Sequence, residues 1–516
     1  LDEIERESEK LDARGADLPI REGPDIDVQA HLSEDEMEMQ QSATSRPADD
    51  DATTDEEREL PGTVRPKKGA GWWGRGPPLQ PHRKGLAKIF IDGAGFPSPG
   101  RWKVSRRRLP DDAVARDIRN AFTEGLQEAA PKLPGGDLKR ALLELASGNV
   151  ELNPFPEEVI EETRTRLRLI LKRHGFGDGL PREGDVVQMT EVRLIQGLLA
   201  AFQDPDHYFV EWWAKGVWLG SAARPLPRAP ALYERKVKWP KIEGGPELHG
   251  EWRANYSSLK EHEAKVIAQY RAEIDEGMMK VVTLGEAIDE YGDELIISGT
   301  GAIAKKGASG DIRVIYDGSH GVLLNYGIRI RDQIRFPTAP DIKAVLSEMA
   351  DEGGPHFLLV YDVKKAHRRV PVLREEWGRQ ACQVRGSAAA TRQLKKTRAT
   401  ESASSSSLTD VPPAKISRAD FTEAELGEDV YLNCVGTFGV TSAGYWWGRA
   451  GGAIIRLTHY VLGFADALWA LLYSDDGMLT GRTERYERGL LLHLFVLVVV
   501  NLPISWRKVK GGPQTE

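Results

Sequence analysis

The sequence predicts a mixed α+β protein, and three observations point there. Between residues 111 and 280 apolar side chains recur near a helical period, with start and stop signals around the runs. From about Ile303 onward the pattern changes to short apolar runs joined by tight turns, as in strands and hairpins. Near the C-terminal end, the runs Ala467 to Leu472 and Met478-Leu479 flank Tyr473-Ser474-Asp475-Asp476-Gly477, so a β-hairpin carries two adjacent carboxylates at its tip.

A chain of 516 residues has room for two or three domains with sizeable cores. Its formal net charge of −8 is unevenly spread: residues 1–60 hold 21 acidic and 6 basic side chains, and the remainder holds 64 basic against 57 acidic. The acidity belongs to a tail, and the rest is mildly basic, compatible with a polyanionic partner. Cys382 and Cys434 are the only cysteines. That excludes a disulfide framework and a cysteine-rich zinc site, and it points to a reducing intracellular compartment, cytoplasmic or nuclear. The chain opens on charged residues with no signal-peptide pattern. A charge-free run from Leu490 to Ile504 falls short of the roughly 18–20 residues that span a bilayer, and it contains His493, Asn501 and Pro503. It reads as a buried helix running into a core strand, and no membrane contact is expected.

In chain order, residues 1–60 are acidic and poor in aromatics, so a disordered tail is expected. Between Pro61 and Pro110 lie 12 Lys or Arg against one acid, Asp92, interleaved with Trp72, Trp73 and Trp102. Such a stretch either grips a nucleic-acid backbone and stacks on bases or serves as a solvated linker. A helix is expected from Glu157 to Arg173, entered through Pro154 and Pro156 and ended by Gly175, and a second from Thr190 to Phe202. The stretch from Tyr208 to Trp239, rich in Trp and Pro, has no period to assign. A third helix runs from about Leu259 to Asp275, capped by Ser257 or Ser258.

Farther on, Lys305-Lys306-Gly307 and Arg313-Val314-Ile315-Tyr316-Asp317 read as a hairpin with cations at its tip and on one strand, a shape able to fold over a triphosphate. Thr338-Ala339-Pro340-Asp341 opens a helix that Gly353-Gly354 closes. The apolar strand Phe357-Leu358-Leu359-Val360-Tyr361 follows and ends in Asp362. Residues 386–413 are of low complexity, so a disordered surface loop is expected. The loop Gly436-Thr437-Phe438-Gly439-Val440-Thr441-Ser442-Ala443-Gly444 leads into a helix from about Tyr445 to Leu462. After the carboxylate hairpin come a helix to about Leu497 and a strand at Pro503-Ile504-Ser505-Trp506.

An Asp-Asp-Gly turn is by itself ordinary hairpin chemistry. Two carboxylates in one tight turn also repel each other until a divalent cation neutralises them, and Mg²⁺ accepts one or two carboxylates while leaving positions for phosphates. In order and spacing, the blocks from about residue 300 to 516 resemble the fingers and palm of reverse transcriptases, particularly those of retroelement polyproteins. Asp362 with Ala366 is similar to the family's first palm motif. Phe438-Gly439 to Ser442 is similar to its template- and nucleotide-contacting loop, and Tyr473-Ser474-Asp475-Asp476 to its Tyr-x-Asp-Asp hairpin. Lys508 falls at the late palm lysine, and Arg313 and Asp317 fall in the fingers hairpin.

The resemblance implies a right-hand polymerase palm, an antiparallel sheet backed by helices, over 356–516 with the insertion 386–413. It implies a fingers-like segment over 281–355, preceded by the helical region 111–280, the basic linker 61–110 and the acidic tail. It implies template-directed nucleotidyl transfer on an RNA or DNA template-primer with dNTPs, using two Mg²⁺ ions (Mn²⁺ as a substitute) about 3.5–4 Å apart. Asp362 and Asp475 would hold the ions, with the Val363 carbonyl and Asp476 as further ligands. Lys305 or Lys306 with Arg313 would neutralise the triphosphate, Ala366, His367, Phe438 and Gly439 would contact the nucleotide, and Lys508 would protonate the leaving pyrophosphate.

The chain departs from the family pattern at His367, where Tyr or Phe usually blocks a ribose 2′-OH, and at Gly436-Thr437 and Gly444, where Leu-Pro and Pro are usual. It stops at Glu516, before the family's primer-gripping hairpin and thumb, so a truncated or decayed retroelement product is expected. Two alternatives stay open. An RNA-directed RNA polymerase shares the palm, but that family places a second Asp where His367 stands and a Gly where Ser474 stands. A non-catalytic nucleic-acid-binding protein of retroelement descent is the other.

Overall fold

The structure, a computed structural model, describes residues 112–516 apart from 222, 228–232, 236–251, 306–310, 323, 331, 335, 353–355, 393–415, 464–467, 483–485 and 514–516. The expected acidic tail and basic stretch, Lys306, Trp239 and Gly353-Gly354 lie outside the described residues.

Local signals start the first helices. In α1 (Ala113–Ala129) and α2 (Leu138–Ala146), the carboxylates of Asp112 and Asp137 accept from the amides of Ala115 and Arg140. Helix α3 (Glu157–Arg173) has the expected bounds, with two Glu in its first turn and Gly175 left-handed beyond its end. The second expected helix is α4, shortened to Val192–Ala201. The unassigned Trp-rich stretch contains α5 (Phe209–Lys215), whose Trp212 packs edge-to-face on Trp218 and Trp446. Helix α6 (Ser257–Asp275) starts differently from expectation. Tyr256, not Ser257 or Ser258, takes the N-cap, and it makes no side-chain cap bond. Its hydroxyl donates to Asp317, and Ser258 Oγ accepts from the Ala302 amide at 3.4 Å, so tertiary partners claim the groups a local cap would use.

The remaining main helices are α7 (Leu284–Tyr291), α8 (Ala339–Glu352), α9 (Thr441–Leu462) and α10 (Tyr486–Val499). The main strands are β1 (Met279–Thr283), β2 (Ile297–Ser298), β3 (Thr300–Ala304), β4 (Ile312–Tyr316), β5 (His356–Asp362), β6 (Ala381–Cys382), β7 (Asp429–Asn433), β8 (Trp469–Tyr473), β9 (Asp476–Arg482) and β10 (Lys510–Pro513). One sheet has the order β8-β9-β5-β10 and is antiparallel throughout. A second has the order β1-β7-β6-β2, parallel only at β6-β2, and β3-β4 form a separate hairpin.

Side chains alternate along β5. Phe357, Leu359 and Tyr361 are buried on one face, and Val360 on the other is 37% exposed. The buried face rests on α10, which is buried from Gly489 to Val499 and thereby accounts for the charge-free run. Helix α10 also packs on α1, α2, α3 and α9, so the helices of the 111–280 region back the same sheet that the later strands build. Helix α9 is nearly as buried, and two ion pairs fasten it to the turn after α4: Arg449 to Asp206 at 2.6 Å and Arg456 to Asp204 at 2.7 Å. Burial alone would raise the Asp204 carboxyl, but Arg456 outweighs it and holds the group below its ordinary value. Among the described residues no helix is long and apolar enough to cross a membrane.

Three further expectations are corrected. The expected strand at Pro503–Trp506 is a single bridge, Val363 to Ile504, followed by a 3₁₀ turn at Trp506–Lys508. The strand lies later, at β10, where Gly-Gly-Pro gave no strand signal and the free edge of β5 supplies the pairing. The glycine-rich loop is shorter than expected because α9 begins at Thr441, which puts Gly444 inside its first turn. The low-complexity segment begins later than 386. Residues 388–392 are helical, Ala388 and Ala389 enter a core with Trp252 and Leu284, and Glu428 accepts from the amides of Ser387 and Ala388. Residues 393–413 lie outside the described residues.

Candidate functional site

Strands β5 and β9 set the site. Asp362 ends β5, and the antiparallel register puts Asp476 directly opposite it. Opposite residues share a sheet face, so both carboxylates fall on the face of Val360, away from α10. Asp475 and Ser474 form the two-residue connection between β8 and β9, and Ser474 holds φ 54, a left-handed conformation that costs an L residue roughly 1–2 kcal/mol. The Asp475 carbonyl accepts from the Val363 amide at 2.8 Å, which ties the turn to the end of β5.

The carboxylates differ in their surroundings. Asp362 is 6% exposed; Ser505 Oγ donates to its Oδ1 at 2.5 Å and Lys508 Nζ to its Oδ2 at 2.7 Å. Asp475 is half-buried and Asp476 exposed. Partial burial, then the charges of Asp475 and Asp362, push the Asp476 carboxyl above its ordinary value, with Lys508 pulling the other way. Beside the carboxylates opens a cleft of about 480 Å³ with apolar walls from Val360, Leu471 and Met478.

A hard divalent cation suits these donors in kind, because carboxylate oxygens are its preferred ligands, and burial followed by repulsion from Asp475 and Asp362 disfavours the charged form of Asp476, a cost that a cation relieves. Among the described residues no three His, Cys, Asp or Glu side chains are grouped closely enough to hold a metal. Both oxygens of Asp362 are hydrogen-bonded to Ser505 and Lys508.

Past β5, Val363 is buried and Lys365 is left-handed at φ 55, its ammonium 2.9 Å from Glu276. Ala366 and His367 open the 3₁₀ turn that follows. The half-buried His367 ring meets Phe438 edge-to-face at 5.8 Å. Burial pushes its imidazole below the ordinary value against a pull from Asp475. Phe438 is 41% exposed. Gly439 holds φ 98, and a Cβ there would stand 2.0 Å from the Tyr316 carbonyl oxygen, so only glycine fits where the loop meets β4.

The structure thus brings Asp362, Val363, Asp475, Asp476 and Lys508 to one end of the sheet, with Ala366, His367, Phe438 and Gly439 adjoining. Lys305 and Arg313 remain on the β3-β4 hairpin, Lys305 3.9 Å from Asp311. Arg313 lies three residues, about 10 Å of strand, from the Tyr316 end that touches the loop.

No protein-family model matches the sequence. No curated protein matches it either. Among solved structures the chain is similar to the native crystal structure of Prototype Foamy Virus protease-reverse transcriptase, with a TM-score of 0.30 and 11% identity over 54% of this chain. The match spans 28% of that protein, and the likeness is weak.

Sequence reasoning misses Ser505, which it places in a strand, and Asn325. The Asn325 amide donates to the Gly439 carbonyl at 2.8 Å and accepts from the Thr441 amide at 2.9 Å, clamping the loop to the start of α9. Neither carries a local signal, since each acts across more than 100 residues.

Proposed function

We propose that the chain is a reverse transcriptase-like nucleotidyltransferase, with the sheet β8-β9-β5-β10 as its palm, the β3-β4 hairpin as its fingers, and an RNA or DNA template-primer and dNTPs as its substrates inside the cell. The observation that supports this reading most is the register of Asp476 against Asp362, which sets the Asp475-Asp476 turn beside a third carboxylate at one strand end. Asp362 and Asp475, with Asp476 and the Val363 carbonyl, would hold Mg²⁺ once the carboxylates draw together and Asp362 gives up its bonds to Ser505 and Lys508; when bound, the ion supplies electrostatic stabilisation of the attacking and leaving oxygens.

In the reaction the primer 3′-hydroxyl gives up its proton to solvent, its oxygen forms a bond to the α-phosphorus, and the bond from that phosphorus to pyrophosphate breaks. Lys508 holds a proton at Nζ, available to the departing pyrophosphate once the side chain leaves Asp362. His367 and Phe438 give the sugar a walled, partly dry floor. Lys305 or Lys306 with Arg313 would neutralise the triphosphate through charge-assisted hydrogen bonds.

Primer extension on RNA and DNA templates tests this reading. Asp475→Asn should lower metal-dependent incorporation by at least about 10³-fold, several kcal/mol at 1.36 kcal/mol per decade, with the melting temperature unchanged. Equal incorporation by the variant would sink the active-site assignment. The non-catalytic reading draws on a different observation, that Lys508 already neutralises Asp362. Template binding without any incorporation by the native chain would favour it.

A further inference from the structure

The carboxylate hairpin rests on one face of α9. The Ser474 carbonyl, in the left-handed turn, accepts from the indole N–H of Trp447 at 2.8 Å, and Trp447 is fully buried. One turn along the helix, Gly451 faces β8: a Cβ there would stand 2.7 Å from Leu472 Cδ2. Residues four apart share a helix face, so Trp447 and Gly451 together seat the last residues of β8 and the turn that follows. The same helix begins at Thr441, which the Asn325 clamp ties to Gly439. From Thr441 to Trp447 is about 9 Å of helix rise.

We propose that Trp447 is a positioning residue: its indole fixes the Ser474 carbonyl and so the placement of Asp475 against Asp362, and α9 is the rigid spacer that keeps this hairpin in register with the Phe438-Gly439 loop. The proposal rests on the nucleotidyl-transfer reading above. Asp475 follows Ser474 directly, so a shift of that carbonyl moves the carboxylate with it. Indole suits the task, being a rigid ring with a single donor and no acceptor. The Val363 amide fixes the far side of the turn, so Trp447 supplies the second of two points that define its tilt.

Trp446 provides an internal control. It is equally buried, and its indole N–H donates at 2.8 Å to the Trp218 carbonyl, away from the hairpin. Trp447→Phe and Trp446→Phe in the full chain each delete one buried donor and leave one carbonyl unpaired. Thermal unfolding, Mn²⁺ titration followed by electron paramagnetic resonance, and steady-state primer extension are measured on both. The two variants should lose similar thermal stability. Trp447→Phe alone should weaken Mn²⁺ binding by about tenfold, the scale for groups that orient metal ligands. It should also lower kcat by about 10–100-fold, with KM for the nucleotide held within about twofold.

If the native chain binds Mn²⁺ in an Asp475-dependent way and Trp447→Phe binds it equally well, the bond is structural only and the proposal is overturned. If the native chain shows no Asp475-dependent Mn²⁺ binding, the nucleotidyl-transfer reading falls and takes the proposal with it. Should Trp447→Phe fail to fold, Gly451→Ala, which displaces β8 through Leu472, carries the same comparison with the same outcomes.

Discussion

His367 meets Phe438 edge-to-face, and burial favours the neutral form of its ring against a pull from Asp475. A neutral imidazole is smaller than a phenol and can hydrogen-bond a hydroxyl, so steric exclusion of a ribose 2′-OH should be weak if the sugar lies on this ring. His367→Tyr should sharpen discrimination for deoxynucleotides by about 1–3 kcal/mol, the scale of one pocket contact. The ratio of kcat/KM for deoxy- over ribonucleotide measures it, and an unchanged ratio would remove His367 from the sugar site. Asp476 gives a pH test. Its raised carboxyl means that the folded chain keeps a proton the unfolded chain has already lost, so stability falls as pH rises through the raised value. Asp476→Asn should therefore melt higher than the native chain at neutral pH, and the gain should vanish below the ordinary carboxylate value of 3.8 and shrink when Mg²⁺ is added. A gain independent of pH would show that the raised carboxyl is not its source.

The elements legible in the sequence were those whose causes are local. The carboxylate hairpin, β5 ending at Asp362 and α3 with its Gly175 stop all carry their signals within a few residues of themselves. What could not be read is held together from afar. Strand β10 forms because β5 offers an edge, Ser258 is drawn to the Ala302 amide and does not cap α6, and the Trp212-Trp218-Trp446 cluster has no period because two distant segments build it. The low-complexity segment belongs at this scale too, since composition missed its packed start at 387–392. Deleting residues 394–412 should change stability by less than about 1 kcal/mol, because loop-closure entropy varies slowly with length. Extending the deletion back to Ser387 should cost about 2–4 kcal/mol more, as Glu428 loses two amide donors. Urea denaturation of the two deletions decides it, and equal midpoints would show that 387–392 add nothing.

The described residues belong to one compact unit in which the expected segments interleave: β1 crosses the boundary at 280 and pairs with β7, while α1, α2 and α3 lie against α10 beneath the carboxylate sheet. That arrangement places both partners of the Asp362 side chain far downstream, Ser505 by 143 residues and Lys508 by 146. A ribosome adding about 5–20 residues per second needs roughly 7–30 s to cover that interval. Until β9 begins at Asp476, β5 has been made without either of its partner strands, and β10 is still missing at the end of the interval; a strand with open edges invites pairing with neighbouring chains on the same message. For this protein Asp362 and a hazard of co-translational aggregation therefore sit on one strand.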